Sequence, residues 1–190
     1  MVGEAIPNPI RFLLDSDDHL RMWLPQELKM ILVRRMEETD LEAAAVVHAA
    51  AFTRQTFSLE WLTCSFRAFP KTQSFVATVG ERVVGICLWT ERSGFRREVV
   101  LELEQIAVHP DHQGKGVGSA IILESLPMAE DKIAERGARV KDITVNTRTD
   151  NAAQRLYVKL LGARVEAVIP ALFSGDEAYM IARDIHKTKP

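Results

Sequence analysis

The chain has 190 residues, with 24 Lys+Arg against 26 Asp+Glu for a formal charge of -2, and is 47% hydrophobic and 26% charged. A chain of this length buries roughly 70% of its unfolded surface around one core without disulfides, and this balance excludes intrinsic disorder, a collagen-like repeat and a globally basic nucleic-acid binder. The longest nearly apolar stretch, residues 41–52, contains Glu42 and His48 and falls short of the ~20 residues that cross a bilayer, so no membrane span is expected.

The opening residues lack a basic stretch followed by an apolar one, and Cys64 and Cys87 sit within apolar segments. Both features fit a cytoplasmic protein whose two cysteines are buried free thiols. Residues 1–28 are punctuated by Pro7, Pro9 and Pro25 and read as an N-terminal extension. Their short patch Leu20, Met22, Trp23 and Leu24 either caps the same chain or packs on a neighbour, which leaves a homodimer open. One domain is expected over residues 29–185, with a tail at 186–190.

Residues 30–35 read as a strand, and Thr39 followed by Glu42 as a capping box that starts a helix. Its apolar face is Leu41, Ala44, Ala45, Ala51 and Phe52, with His48 on the same stripe. A second helix over 59–69 stops at Pro70. Residues 74–79 and 82–90 flank Gly80-Glu81 as a hairpin, and a third strand, 98–108, follows the charged turn from Arg92 to Arg97. Three strands with no helix between them predict an antiparallel meander. A helix over 116–136 comes next, expected to kink or split at Pro127. Strand 142–146, helix 151–161 and strands 164–169 and 177–184 complete the order βααβββαβαββ. That order predicts an α+β fold, a mixed and mainly antiparallel sheet flanked by helices.

The chemistry concentrates between Leu103 and Leu123. Gly114, Gly116 and Gly118 open a helix directly after a strand, where glycines let backbone N–H groups converge on one anion. The helix end adds roughly half a positive charge and Lys115 a flexible cation, so a phosphate or pyrophosphate is the natural guest; a merely tight connection is the other reading. Spacing excludes two nucleotide loops. The glycine that a dinucleotide fingerprint needs is Ala120 or Ile121, and Gly114-Lys115 is followed by Gly116 instead of Ser or Thr.

Gln113-Gly114-Lys115-Gly116-Val117-Gly118 resembles the Gln/Arg-x-x-Gly-x-Gly/Ala acetyl-CoA loop of the GNAT N-acetyltransferase superfamily, and Ile106-Ala107-Val108-His109-Pro110 is similar to its lead-in strand. The resemblance implies acetyl-CoA as cosubstrate. Its pyrophosphate would lie on the backbone N–H groups of Gln113, Gly114, Lys115, Gly116, Val117, Gly118 and Ser119. Its pantetheine arm would pair like an added strand with the main chain at Ile106, Ala107 and Val108.

The implied reaction moves an acetyl group to a primary amine by direct attack on the thioester. A lysine-type amine is mostly protonated at neutral pH, so a base is useful. Glu104 is the candidate, with Glu102 two residues earlier as the alternative, and solvent-facing carboxylates as the plain structural reading. The stretch from Asp150 to Tyr157 resembles the family's Asn-x-x-Ala-x-x-Leu-Tyr pattern, implying Tyr157 as proton donor to the departing thiol and Asn151 beside the cofactor. Aligning on Asn151 and Gly162 instead puts Val158 at the tyrosine position, one residue being a 100° rotation. Glu98, Glu102 and Glu104 together favour a cationic acceptor. Phe52, Phe57, Trp61 and Phe66 either shape the acceptor pocket or pack two helices.

His109-x-x-His112 has Pro110 between its histidines and no third ligand nearby, so no metal is expected. The turn Arg92, Arg96 and Arg97 lacks interleaved aromatics and reads as surface, with no nucleic-acid partner. The expectation is an acetyl-CoA-dependent N-acetyltransferase. The alternative is a CoA-binding sensor of the same fold without turnover, motivated by the irregular helix at Tyr157 and by Pro127.

Overall fold

A computed structural model describes residues 31–186; the expected extension, with its Leu20 to Leu24 patch, and nearly all of the tail lie outside them. The runs of β-branched residues form β1 (Ile31–Arg35), β2 (Thr72–Val79), β3 (Arg82–Glu91), β4 (Glu98–Val108), β5 (Arg139–Arg148), β6 (Arg164–Ile169) and β7 (Glu177–Ala182). They make one seven-stranded sheet in the order β1-β2-β3-β4-β5-β7-β6. Every neighbouring pair is antiparallel except β4 and β5. The fold is thus α+β around a mixed sheet, in the element order read from the sequence.

Helices cover the two faces unequally. α1 (Leu41–Ala51) and α2 (Ser58–Arg67) pack on one face through Leu41, Ala44, Val47 and Leu62 against Val76, Ile86, Leu88 and Ala107. α3 (Val117–Ala134) and α4 (Gln154–Leu161) pack on the other through Ile121, Ile122, Leu126, Ile133, Tyr157 and Leu161, against Phe75, Trp89, Leu101, Leu103 and Val145. Both clusters exclude water from large apolar side chains, each of which stabilises by roughly 1.5–3 kcal/mol when fully buried. Among the described residues no helix is long and apolar enough to cross a membrane.

Four details differ from the sequence reading. The capping box is made by Glu37 and Asp40 around the 3-10 turn Glu38–Asp40 that leads into α1, not by Thr39 and Glu42: the Glu37 N–H donates to Asp40 Oδ2 at 2.8 Å, and the Glu37 side chain accepts in return. Arg34 imposes this choice, because its guanidinium forks onto Asp40 at 2.6 and 2.8 Å and holds that carboxyl below its usual pKa. Second, α3 is not split at Pro127; the buried residues on both sides of it keep the helix docked despite the missing donor. Third, α4 starts at Gln154, since Asn151 folds back on itself, accepting from Ala153 N at 2.9 Å and donating to Thr147 Oγ1 at 2.8 Å. Fourth, Cys87 is buried but Cys64 is exposed, on the solvent side of α2.

Candidate active site

β4 departs from regular pairing at its middle. Leu88 of β3 pairs with Gln105 while the next residue, Trp89, pairs with Leu103, so Glu104 is an inserted residue in a β-bulge. The bulge reverses the facing of the strand. Before it, Val99, Leu101 and Leu103 join the α3 side; after it, Ile106 and Val108 do. Glu102, Glu104 and Gln105 consequently all face the α1–α2 side.

Pairing between β4 and β5 stops at Glu102 opposite Thr144, whereas β4 stays paired with β3 as far as Val108 opposite Gly85. The two parallel strands therefore part just below the bulge. The His109 N–H donates to Val84 O at 2.9 Å, and main-chain groups alternate in direction along a strand. Those of Ile106 and Val108 thus point away from β3, into the gap that β5 leaves. The Val108 carbonyl there accepts from Gln113 Nε2 at 3.1 Å.

Above the gap lies the glycine turn. Gly114 and Gly116 have φ of 72° and 82°, a left-handed conformation that favours glycine, and Gly116 is the N-cap of α3. The Gln113 N–H donates to Pro110 O at 3.2 Å. The N–H groups from Gly114 to Ser119 have no backbone partner among the described residues, the first helical bond being Ala120 N to Gly116 O at 2.9 Å. The field there is positive: burial, then the charges of Lys115 and Arg82, hold His112 below its usual pKa of 6.5. An anion fits this cradle by both hydrogen bonding and charge. Asn151 belongs to a separate turn, its polar atoms already used on Thr147 and Ala153.

The two carboxylates have different surroundings. Glu102 is buried and spends both oxygens, one on Arg92 Nε and the other on Asn146 Nδ2 at 3.1 Å. Glu104 is less enclosed. It accepts from the Thr90 hydroxyl, which in turn accepts from Thr72 Oγ1 at 2.9 Å, while its other oxygen lies 3.6 Å from Arg92 Nη2. Glu98 is well away from both and pairs with Arg139 at 2.5 Å and Lys141 at 3.8 Å. Glu98 thus has cations of its own, whereas Glu102 and Glu104 share Arg92.

Tyr157 is 4% exposed and the adjacent Val158 52%, so it is Tyr157 that faces the sheet. Burial, and secondarily the Cys87 thiol, push its pKa up to about 12. Cys87 pairs with Ile106, which puts the phenol near the open stretch of β4 and on the opposite sheet face from Glu104. Of the aromatic candidates, Phe57 and Trp61 are exposed, and Phe52 and Phe66 pack against the α1–α2 cluster. The sequence reading missed Gln105 and Arg92 as parts of this site. Only knowledge of the bulge would have put Gln105 on the same sheet face as Glu104. Among the described residues no group of three or more His, Cys, Asp or Glu is gathered to hold a metal ion.

A mixed sheet whose two central parallel strands part just below a bulge, beside a glycine turn opening a helix, defines a protein with an anion cradle and an open strand edge in one place. Comparison with known proteins finds counterparts of this arrangement. The acetyltransferase (GNAT) domain profile matches residues 70–160. An uncharacterised N-acetyltransferase of Methanocaldococcus jannaschii is 29% identical over 99 residues, covering 50% of this chain and 40% of that protein; the match thus spans less than half of the relative's length. The ribosomal-protein-S18-alanine N-acetyltransferase of Escherichia coli shares the fold with a TM-score of 0.64 at 21% identity, over 84% of this chain and 97% of that one. A putative acetyltransferase of Salmonella typhimurium, solved with its cofactor acetyl-CoA, aligns with a TM-score of 0.59 at 22% identity, over 85% and 98%.

Proposed function

We propose that the protein is an acetyl-CoA-dependent N-acetyltransferase that acylates a primary amine by direct attack on the thioester. The observation that carries this reading is the coincidence, on β4, of the bulge at Glu104, the unpaired edge at Ile106 and Val108, and the amides of Gly114 to Ser119. Those amides, with Lys115, would hold the pyrophosphate. The edge of β4 would take the pantetheine arm as an added strand, with the Val108 carbonyl exchanging its bond from Gln113. The cosubstrate supplies an activated acyl group; this chain's residues orient it and move protons.

Glu104 is the base. It faces the α1–α2 side, where an amine can enter, and retains an oxygen whose nearest charged partner is 3.6 Å away; Glu102 has neither oxygen free. Tyr157, from the other face, is the proton donor to the departing thiol. A phenol with a pKa near 12 stays protonated across the working pH range, as a donor must. The two groups therefore flank the reacting bond from opposite sides of the gap.

Acetyl-CoA should raise the melting temperature of the protein, since a ligand that binds only the folded state stabilises it by RT ln(1 + [L]/Kd). Gly116→Leu should abolish that shift, because a β-carbon at φ 82° is strained and the side chain would crowd the turn. An undiminished shift in this variant contradicts the placement of the pyrophosphate. Thiol release measured against a panel of amines then separates turnover from binding alone. Of the two features that suggested a sensor without turnover, α4 is regular from Gln154 and α3 is not split at Pro127.

A further inference from the structure

Gln105 has no part in the proton transfers just described, yet its amide joins three separate segments to β4. Its Oε1 lies 3.0 Å from Trp61 Nε1 and 3.1 Å from His48 Nε2, and its Nε2 lies 3.5 Å from Gln55 Oε1. An indole N–H only donates, so the shared atom is the carbonyl oxygen, and the His48 nitrogen facing it must carry a hydrogen. Nδ1 of the same ring is then the acceptor for the Ser58 hydroxyl, 2.9 Å away. His48 is fully buried, and burial holds its pKa below the usual 6.5. At neutral pH it is therefore a single uncharged tautomer, donating to Gln105 and accepting from Ser58.

These bonds fasten the last turn of α1, the loop after it and the first turn of α2 to the residue next to the bulge. The first turn of α2 carries Trp61, which is 46% exposed although its N–H is bound. Its ring stands on the same sheet face as Glu104. We infer that Gln105 is a positioning residue for the acceptor: it holds Trp61 and, through His48 and Ser58, the start of α2 as the wall against which an amine meets Glu104. The inference rests on the proposed acetyl transfer for its functional meaning, and on geometry alone for the tethering.

Gln105→Leu keeps the bulk and removes the accepting oxygen, whereas Gln105→Glu keeps an oxygen for both donors. In 1H–15N spectra, with the Trp61 indole signal assigned by Trp61→Phe, Gln105→Leu should move that signal and speed its hydrogen exchange at least about tenfold, the scale of one lost hydrogen bond. It should also change the His48 ring-nitrogen shifts. For any amine that the wild-type protein acetylates, KM should rise about tenfold while kcat and the KM for acetyl-CoA stay within about twofold. Gln105→Glu should restore the indole signal and the amine KM.

An indole signal that does not move in Gln105→Leu overturns the inference. So does an equal loss in kcat and in both KM values, which would mark a general structural role. If the leucine variant does not fold, a displaced indole signal in the glutamate variant overturns it instead. Should the wild-type protein release thiol with no amine, it is the acetyl-transfer reading that fails. The indole and His48 signals would still decide the tethering.

Discussion

At the scale of single residues, the informative contrast is between two carboxylates two positions apart on one strand. Glu102 is a structural acid: its oxygens bind Arg92 and Asn146, and Arg92 would lose its nearest counter-charge without it. Glu104, inserted at the bulge, is bound on one oxygen by Thr90. On the proposed mechanism Glu104→Gln should lower kcat by at least about a hundredfold, the low end of what a positioned base contributes. The acetyl-CoA melting shift should be unchanged. Glu102→Gln should instead destabilise the fold by about 1 kcal/mol or less, the scale of an ion pair whose cation, Arg92, is 47% exposed. Comparing kcat of the two variants at a temperature where both are folded decides the matter: a larger loss in Glu102→Gln would transfer the base to that residue. The strand itself was legible in the sequence to the residue, from Glu98 to Val108. Its bulge was not, because one inserted residue hardly disturbs a two-residue alternation that charged positions already interrupt.

At the scale of elements, the glycine turn depends on how closely α3 approaches the sheet. Gly85 of β3 permits that approach: a β-carbon there would lie 2.9 Å from Val117 Cγ1 and 3.3 Å from Ala77 Cβ. Val117 is the first residue of α3, immediately after the Gly116 cap. Gly85→Ala should therefore act twice. It should destabilise the protein by about 1–3 kcal/mol through overpacking, read from the denaturant midpoint, and it should weaken the acetyl-CoA melting shift by lifting the turn. A normal shift in a destabilised variant would mean that the turn adjusts independently of the sheet. The glycines of the turn announced themselves by their spacing, but Gly85 did not, since a glycine within a strand shows in sequence only as a weak β-former. The same limit explains β5, read as 142–146 and found as Arg139–Arg148. Its charged first residues look like a loop until Arg139 is seen paired to Glu98 at 2.5 Å. Helix starts were obscured for a related reason: Arg34 chose Asp40 as a partner, and Asn151 satisfied itself locally.

At the scale of the whole molecule, a formal charge of -2 conceals two unlike regions. The carboxylates of β4 are compensated unequally, Glu98 by Arg139 and Lys141 and the Glu102–Glu104 pair by Arg92 alone. The glycine turn is different, because Lys115 and Arg82 act on His112 without a compensating anion close enough to reverse the effect. Without a bound anion, burial and these cations hold the imidazole in its neutral form to lower pH than the usual 6.5. The folded state therefore binds this proton less readily than an unfolded chain would, and the linkage costs stability as pH falls below 6.5. A pyrophosphate seated on the turn reverses the local field, which favours the imidazolium and raises the pKa of His112. Binding must then take up protons, so acetyl-CoA should bind more tightly as pH falls from 8 towards 6, and less so at high salt. A proton-detected titration of His112 with and without CoA checks this directly: an unchanged or lowered pKa in the complex would place the anion somewhere other than this turn. His112→Asn should flatten the pH dependence of affinity while leaving binding at pH 8 nearly unaltered.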